Sequence, residues 1–101
     1  MNTEIRDYIG IPAQTLTSSF VTVIPRSANV EYIALNNTNT TDALVTIQDG
    51  NGQVFYNQAA GAPAGQLTTI ALPEGGLLFS GGLQWKSDTT GVTGWLRARY
   101  S

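Results

Sequence analysis

Val92-Thr93-Gly94-Trp95-Leu96-Arg97-Ala98-Arg99-Tyr100 is the stretch that decides the fold. Successive side chains of a strand point to opposite faces. Val92, Gly94, Leu96, Ala98 and Tyr100 therefore share a face that reads as core, and Thr93, Trp95, Arg97 and Arg99 share the other. A tryptophan among arginines on an outward sheet face has two readings. The arginine stems can simply cover the ring, with a cation–π contact of about 1 kcal/mol. Alternatively, the face is a contact surface for a protein or glycan, since Trp and Arg are enriched where binding energy concentrates.

Upstream, the chain from Ser19 repeats short β-branched and aromatic runs between turn clusters, the pattern of an all-β domain. The expected strands are Phe20 to Ile24, Val30 to Asn36, Leu44 to Gln48, Val54 to Tyr56, Leu67 to Leu72, Leu77 to Ser80, Leu83 to Lys86 and Val92 to Tyr100. Asn36 to Asp42 is a polar loop, and Asp49-Gly50-Asn51-Gly52 suits a hairpin turn. Ala59 to Gly65 reads as a small, flexible loop in which Pro63 excludes a regular central strand. Pro73-Glu74-Gly75-Gly76 and Gly81-Gly82 end two further strands. No stretch combines helical spacing with length and caps. About eight short strands imply a single antiparallel β-sandwich or jelly roll. Its core is expected to include Val45, Ile47, Ile70, Leu72, Leu83, Trp85, Leu96 and Tyr100.

Several strands look apolar on both faces. Val30, Tyr32 and Ala34 oppose Ile33 and Leu35; Leu44 opposes Val45 and Ile47; Val54 and Tyr56 oppose Phe55. A sandwich in water alternates more cleanly. Either the register is off by a residue, or a partner covers an outer face. Low charge favours a partner, because charge is depleted at interfaces. Only 12% of the residues are charged, against about 25% in ordinary globular proteins.

Residues 1–18 form an N-terminal segment distinct from the sandwich domain at 19–101. Ile5, Tyr8, Ile9 and Ile11 precede Pro12, and a flexible tag has no need of four large apolar side chains. The segment is either an extra edge strand of the chain's own sheet or an arm that packs on a neighbouring subunit or larger surface. A disordered tail is the third reading.

Composition narrows the chemistry. The 101 residues include no histidine and no cysteine, which removes the usual acid/base, nucleophile and metal-ligand side chains. Five Lys and Arg with a net charge of −2 cannot neutralise a useful run of phosphates, so nucleic acid is not an expected partner. No apolar run approaches the roughly 20 residues of a membrane helix, and the start lacks a signal-peptide pattern. The seven carboxylates, Glu4, Asp7, Glu31, Asp42, Asp49, Glu74 and Asp88, show no spacing that singles out a glycosidase pair, and most fall in expected turns. Asp49-Gly50-Asn51-Gly52 lacks the remaining ligand positions of a calcium loop. The glycine pairs lack the helix start and lysine of a phosphate loop. Tyr8, Tyr32 and Tyr56 could stack sugars, although packing is the commoner use of strand tyrosines. No enzyme activity and no cofactor is expected.

Val45-Thr46-Ile47-Gln48-Asp49-Gly50, Leu72-Pro73-Glu74-Gly75-Gly76, Phe79-Ser80-Gly81-Gly82-Leu83-Gln84-Trp85 and Arg97-Ala98-Arg99-Tyr100 together resemble small β-sandwich structural proteins of tailed-bacteriophage virions. The resemblance covers a little over half of the chain and is carried mostly by turn residues. It implies a non-enzymatic virion protein: a capsid decoration (cement) protein, a head fibre or a tail component. The chain reads as a complete small frame from Met1 to just past its last strand, and it lacks a fibre shaft. That combination favours decoration of the assembled head. The implied partners are the chain itself, as a homotrimer, and the major capsid protein or another virion protein. The expected contact residues are Ile5, Tyr8, Ile9, Ile11, Trp95, Arg97 and Arg99. A carbohydrate-binding module for host attachment is the alternative.

Overall fold

Nine strands, all paired antiparallel, build the described part of the chain, residues 8–101, in this computed structural model; Tyr8 and Ile9 are described by backbone alone. They are β1 (Tyr8–Thr15), β2 (Val21–Ile24), β3 (Ala28–Asn37), β4 (Ala43–Asp49), β5 (Val54–Ala62), β6 (Leu67–Ile70), β7 (Leu77–Phe79), β8 (Leu83–Ser87) and β9 (Val92–Tyr100). The first sheet runs β1-β9-β3-β6, with β7 also on β3; the second runs β2-β8-β4-β5. β6 and β7 lie end to end along one edge of β3. The architecture is the expected β-sandwich.

β9 keeps the alternation of its sequence: Val92, Gly94, Leu96 and Ala98 are buried, while Trp95 is half-buried and Arg97 exposed. β3 does not alternate throughout. Its register against β9 runs Ala28↔Tyr100, Asn29↔Arg99 and Val30↔Ala98, then resumes at Tyr32↔Arg97. Glu31 is thus the extra residue of a β-bulge. The bulge lets Ala28 and Val30 before it, and Ile33, Leu35 and Asn37 after it, all bury towards the core. The two-faced look of this strand is therefore a register effect. β4 alternates normally, with Ala43, Val45, Ile47 and Asp49 buried and Leu44 and Gln48 half-buried.

Three expectations change. The expected loop beyond Tyr56 belongs in part to β5, which runs on to Ala62. Pairing skips from Val45↔Gln58 to Ala43↔Ala62, so Ala59 to Gly61 form a bulge without ending the strand. Gly61 is needed there, because a Cβ would lie 2.9 Å from the Tyr56 ring, whose hydroxyl donates to the Gly61 carbonyl at 3.0 Å. Leu72 falls just past β6 and, like Tyr100, is only half-buried, although both pack against the core. Residues 1–18, set apart from the domain at 19–101 and read as either an edge strand or a partner arm, in part join the sandwich: Tyr8–Thr15 pairs with β9 as the edge strand of the first sheet. Ile11 packs against the chain's own core there, and Leu16 is buried. The folded unit therefore begins before residue 19. Ile5 lies outside the described residues.

Trp85 is the largest fully buried side chain. It sits in β8 opposite Val21 on one side and Ile47 on the other. Its ring reaches across the sandwich to Gly94, where a Cβ would be 3.0 Å from Cη2 and within 3.2 Å of Leu35 and Leu16 side-chain atoms. A glycine in mid-strand is thus explained by a tryptophan from the opposite layer. The indole Nε1–H is buried without a partner.

Leu96→Ala is expected to cost about 2–5 kcal/mol, as for a buried leucine. Leu67→Ala, on a side chain 59% exposed, is expected to change stability by about 0.5 kcal/mol or less. Urea denaturation of the two variants measures both, and equal costs would contradict these face assignments.

Candidate functional site

The outward residues of β9 meet the outward residues of β3 in register: Thr93↔Asn36, Trp95↔Ala34, Tyr32↔Arg97 and Asn29↔Arg99. Towards the edge, Tyr8 lies opposite Arg99 and Gly10 opposite Arg97. On the far side of β3, Leu67 pairs with Asn36 and Leu78 with Asn29. Leu67 and Leu78 thus continue the outer surface, and they are among the most exposed large apolar side chains described.

The bulge that sets the core phase also positions the charges. Glu31 reaches Arg97 through Oε1 to Nε at 3.6 Å and Arg99 through Oε2 to Nε at 3.9 Å. The Arg97 guanidinium lies 5.9 Å from the centre of the Tyr32 ring, within cation–π range. Ala34 faces outward yet is fully buried, in register between Trp95 of β9 and Thr69 of β6. A Cβ at Gly10, which lies opposite Arg97, would meet nothing within 4 Å among the described residues. Together these residues make a face of aromatic, arginine and leucine side chains, the composition of a binding hot spot.

The outer face of the second sheet is different. Gln48 donates to Gln84 at 2.7 Å, Gln84 to Thr22 at 3.3 Å, and Thr46 to Asn57 at 3.1 Å. The Lys86 ammonium lies 4.6 Å from the centre of the Phe20 ring. This face is a ladder of amides and hydroxyls that satisfy one another, and so offers fewer free groups to a partner.

Of the residues expected to bind partners, Trp95, Arg97 and Arg99 share the first sheet's outer face, with Tyr8 in register beside them. Ile9 lies opposite Ala98, and Ile11 packs on the chain's own core. Glu31, Leu67 and Leu78 were not singled out by the sequence. A bulge leaves no mark in composition, and the leucines sit in short runs whose outward phase only the pairing reveals.

Three aspartates brace loops. Asp42 accepts the Ala64 N–H, and Asp88 accepts the Leu44 N–H. Asp49 accepts the Asn51 N–H at 2.7 Å, and Ser80 Oγ and the Gly81 N–H at 3.3 Å each. The Asn51 bond leads in holding its pKa below the ordinary 3.8, with burial opposing and the Gly81 and Ser80 bonds assisting. No protein-family model, curated protein or solved structure matches this chain.

Two expectations follow from these charges. Because the folded pKa of Asp49 lies below its unfolded value, its carboxylate stabilises the fold above pH 3.8. That contribution is lost as pH falls through the lowered folded value. The stability gap between the native protein and Asp49→Asn should therefore shrink as pH is lowered from near 3.8 through the lowered folded value in chemical denaturation. Glu31→Gln should change stability by less than about 1 kcal/mol, because its ion pairs with Arg97 and Arg99 are largely solvated.

Proposed function

We propose that this chain is a non-enzymatic structural protein of a phage virion, a decoration protein that binds the assembled head and reinforces it as a homotrimer. The single observation that carries the reading is the outer face of the first sheet, where Trp95, Tyr32, Leu67 and Leu78 stand with Arg97 and Arg99 on a chain that is only 12% charged. Charge elsewhere is sparse, and the described aspartates serve turns. Such a surface suits a fixed neighbour better than free solution, where charge keeps soluble proteins apart.

A subunit that binds only the finished shell stabilises it by RT ln(1 + [L]/Kd) per site, about 2.7 kcal/mol at a hundredfold excess over Kd. Many modest sites on one particle then sum to a large resistance to rupture.

Adding the protein back to capsids that lack it should give co-sedimentation and a higher rupture temperature. Trp95→Ala combined with Arg97→Ala should weaken binding at least about tenfold, or 1.4 kcal/mol, with the fold intact. No co-sedimentation and unchanged rupture at saturation would refute decoration; reproducible binding to a defined sugar on a glycan array would favour host attachment. Light scattering should give three times the 10.8 kDa chain mass, and a monomer at high concentration would refute the trimer.

A further inference from the structure

The two sheets do not close equally along the side where β5 faces β6 and β7. At the end near Asn37, they are tied. The Asn37 N–H donates to Gln66 at 3.0 Å, and its side-chain amide donates to the Ala62 carbonyl at 2.7 Å. At the opposite end, an open cleft of about 250 Å³ remains between the start of β5 and β7. Phe55, Leu77 and Phe79 line it, with the two rings edge to face at 5.6 Å. Val54 and Leu78 also line it and are 51% and 57% exposed. Asp49, itself only 8% exposed, and the polar Gln53 complete the wall.

This combination selects an occupant. The volume falls below the roughly 300–1,000 Å³ of ordinary small-molecule sites, which suits one side chain better than a metabolite. Apolar walls favour an aliphatic stem, and aromatic rings and a carboxylate favour a positive tip. The carboxylate has one good hydrogen bond, to the Asn51 N–H, and two long ones at 3.3 Å. No Lys or Arg among the described residues pairs with it.

We infer that this cleft is an anchor pocket for a single lysine or arginine side chain presented by a partner protein, with the stem between Val54, Phe55, Leu78 and Phe79 and the charged tip at Asp49. Such an anchor fixes orientation as well as contributing affinity, because a buried charge tolerates only one placement. The pocket adds a second contact to the outer face described above; it rests on the reading of the chain as a contact protein only for the source of the side chain.

The test follows the Phe55, Phe79 and Leu78 signals by NMR while the native protein is titrated with Nα-acetyl-lysinamide, Nα-acetyl-argininamide and the uncharged Nα-acetyl-norleucinamide. The basic amides should give saturable shifts, and norleucinamide should bind several-fold more weakly. Asp49→Asn, which keeps an acceptor for the Asn51 N–H, should abolish that preference. Leu78→Ser, at an exposed position, should weaken binding with the fold unchanged. Absence of saturable shifts, equal binding of norleucinamide, or an unchanged preference in folded Asp49→Asn would overturn the inference. Because the titration uses no capsid, its failure would leave the decoration reading standing, and failed co-sedimentation would leave the pocket standing.

Discussion

One extra residue in β3 sets the phase of the larger sheet. Without the bulge at Glu31, residues 28 and 30 could not face the core together with 33, 35 and 37. Either Val30 or the pair Ile33 and Leu35 would turn outward, at about 1.5–3 kcal/mol for each large side chain exposed. β3 is also the strand on which β9, β6 and β7 all depend for pairing. An error there would pass to every other strand of that sheet except β1, and to β1 through β9. The same residue then serves the surface, since the bulged position sends a carboxylate between two arginines of β9.

The core is filled from one layer and fitted by the other. Trp85 spans the gap and requires Gly94 opposite it, so a bulky residue and a missing side chain form a matched pair across the sandwich. Its unpartnered indole N–H is a desolvation cost of about 1–3 kcal/mol, offset by the large apolar area that a tryptophan buries. Polar side chains hold the ends. Asn37, fully buried, donates to the Thr41 and Ala62 carbonyls and accepts the Asn39 N–H. Asp49 joins the turn after β4 to the turn after β7. Both nodes satisfy backbone groups where sheet pairing runs out, which is what a buried polar side chain must do to be tolerated.

The two outer faces answer different physical demands. On the second sheet, amide and hydroxyl groups are consumed by one another, and the Lys86 ammonium lies over the Phe20 ring, so the face meets water with little charge. On the first, the arginines remain substantially exposed and lie beside an aromatic and leucine surface. The low overall charge thus does not mean a uniform surface: the polar groups are self-satisfied on one side, and the groups capable of strong, directional contact are gathered on the other.

The last strand, the turn clusters and the absence of helical spacing were enough to determine an all-β sandwich, because strand alternation and turn chemistry act over a few residues. The same local signals placed Trp85 and Leu96 inside, and Trp95, Arg97 and Arg99 together outside. Tertiary structure alone decided the rest. The bulges in β3 and β5 are one-residue and two-residue mismatches between paired strands, so they exist only once both strands are present. Whether Tyr8–Thr15 joined its own sheet depended on the free edge of β9, some eighty residues away. The gathering of Glu31, Leu67 and Leu78 around the arginines, and the cleft beside Asp49, arise from strands distant in sequence. No local pattern encodes such neighbours, because side chains acquire them only when the sheets pair and pack.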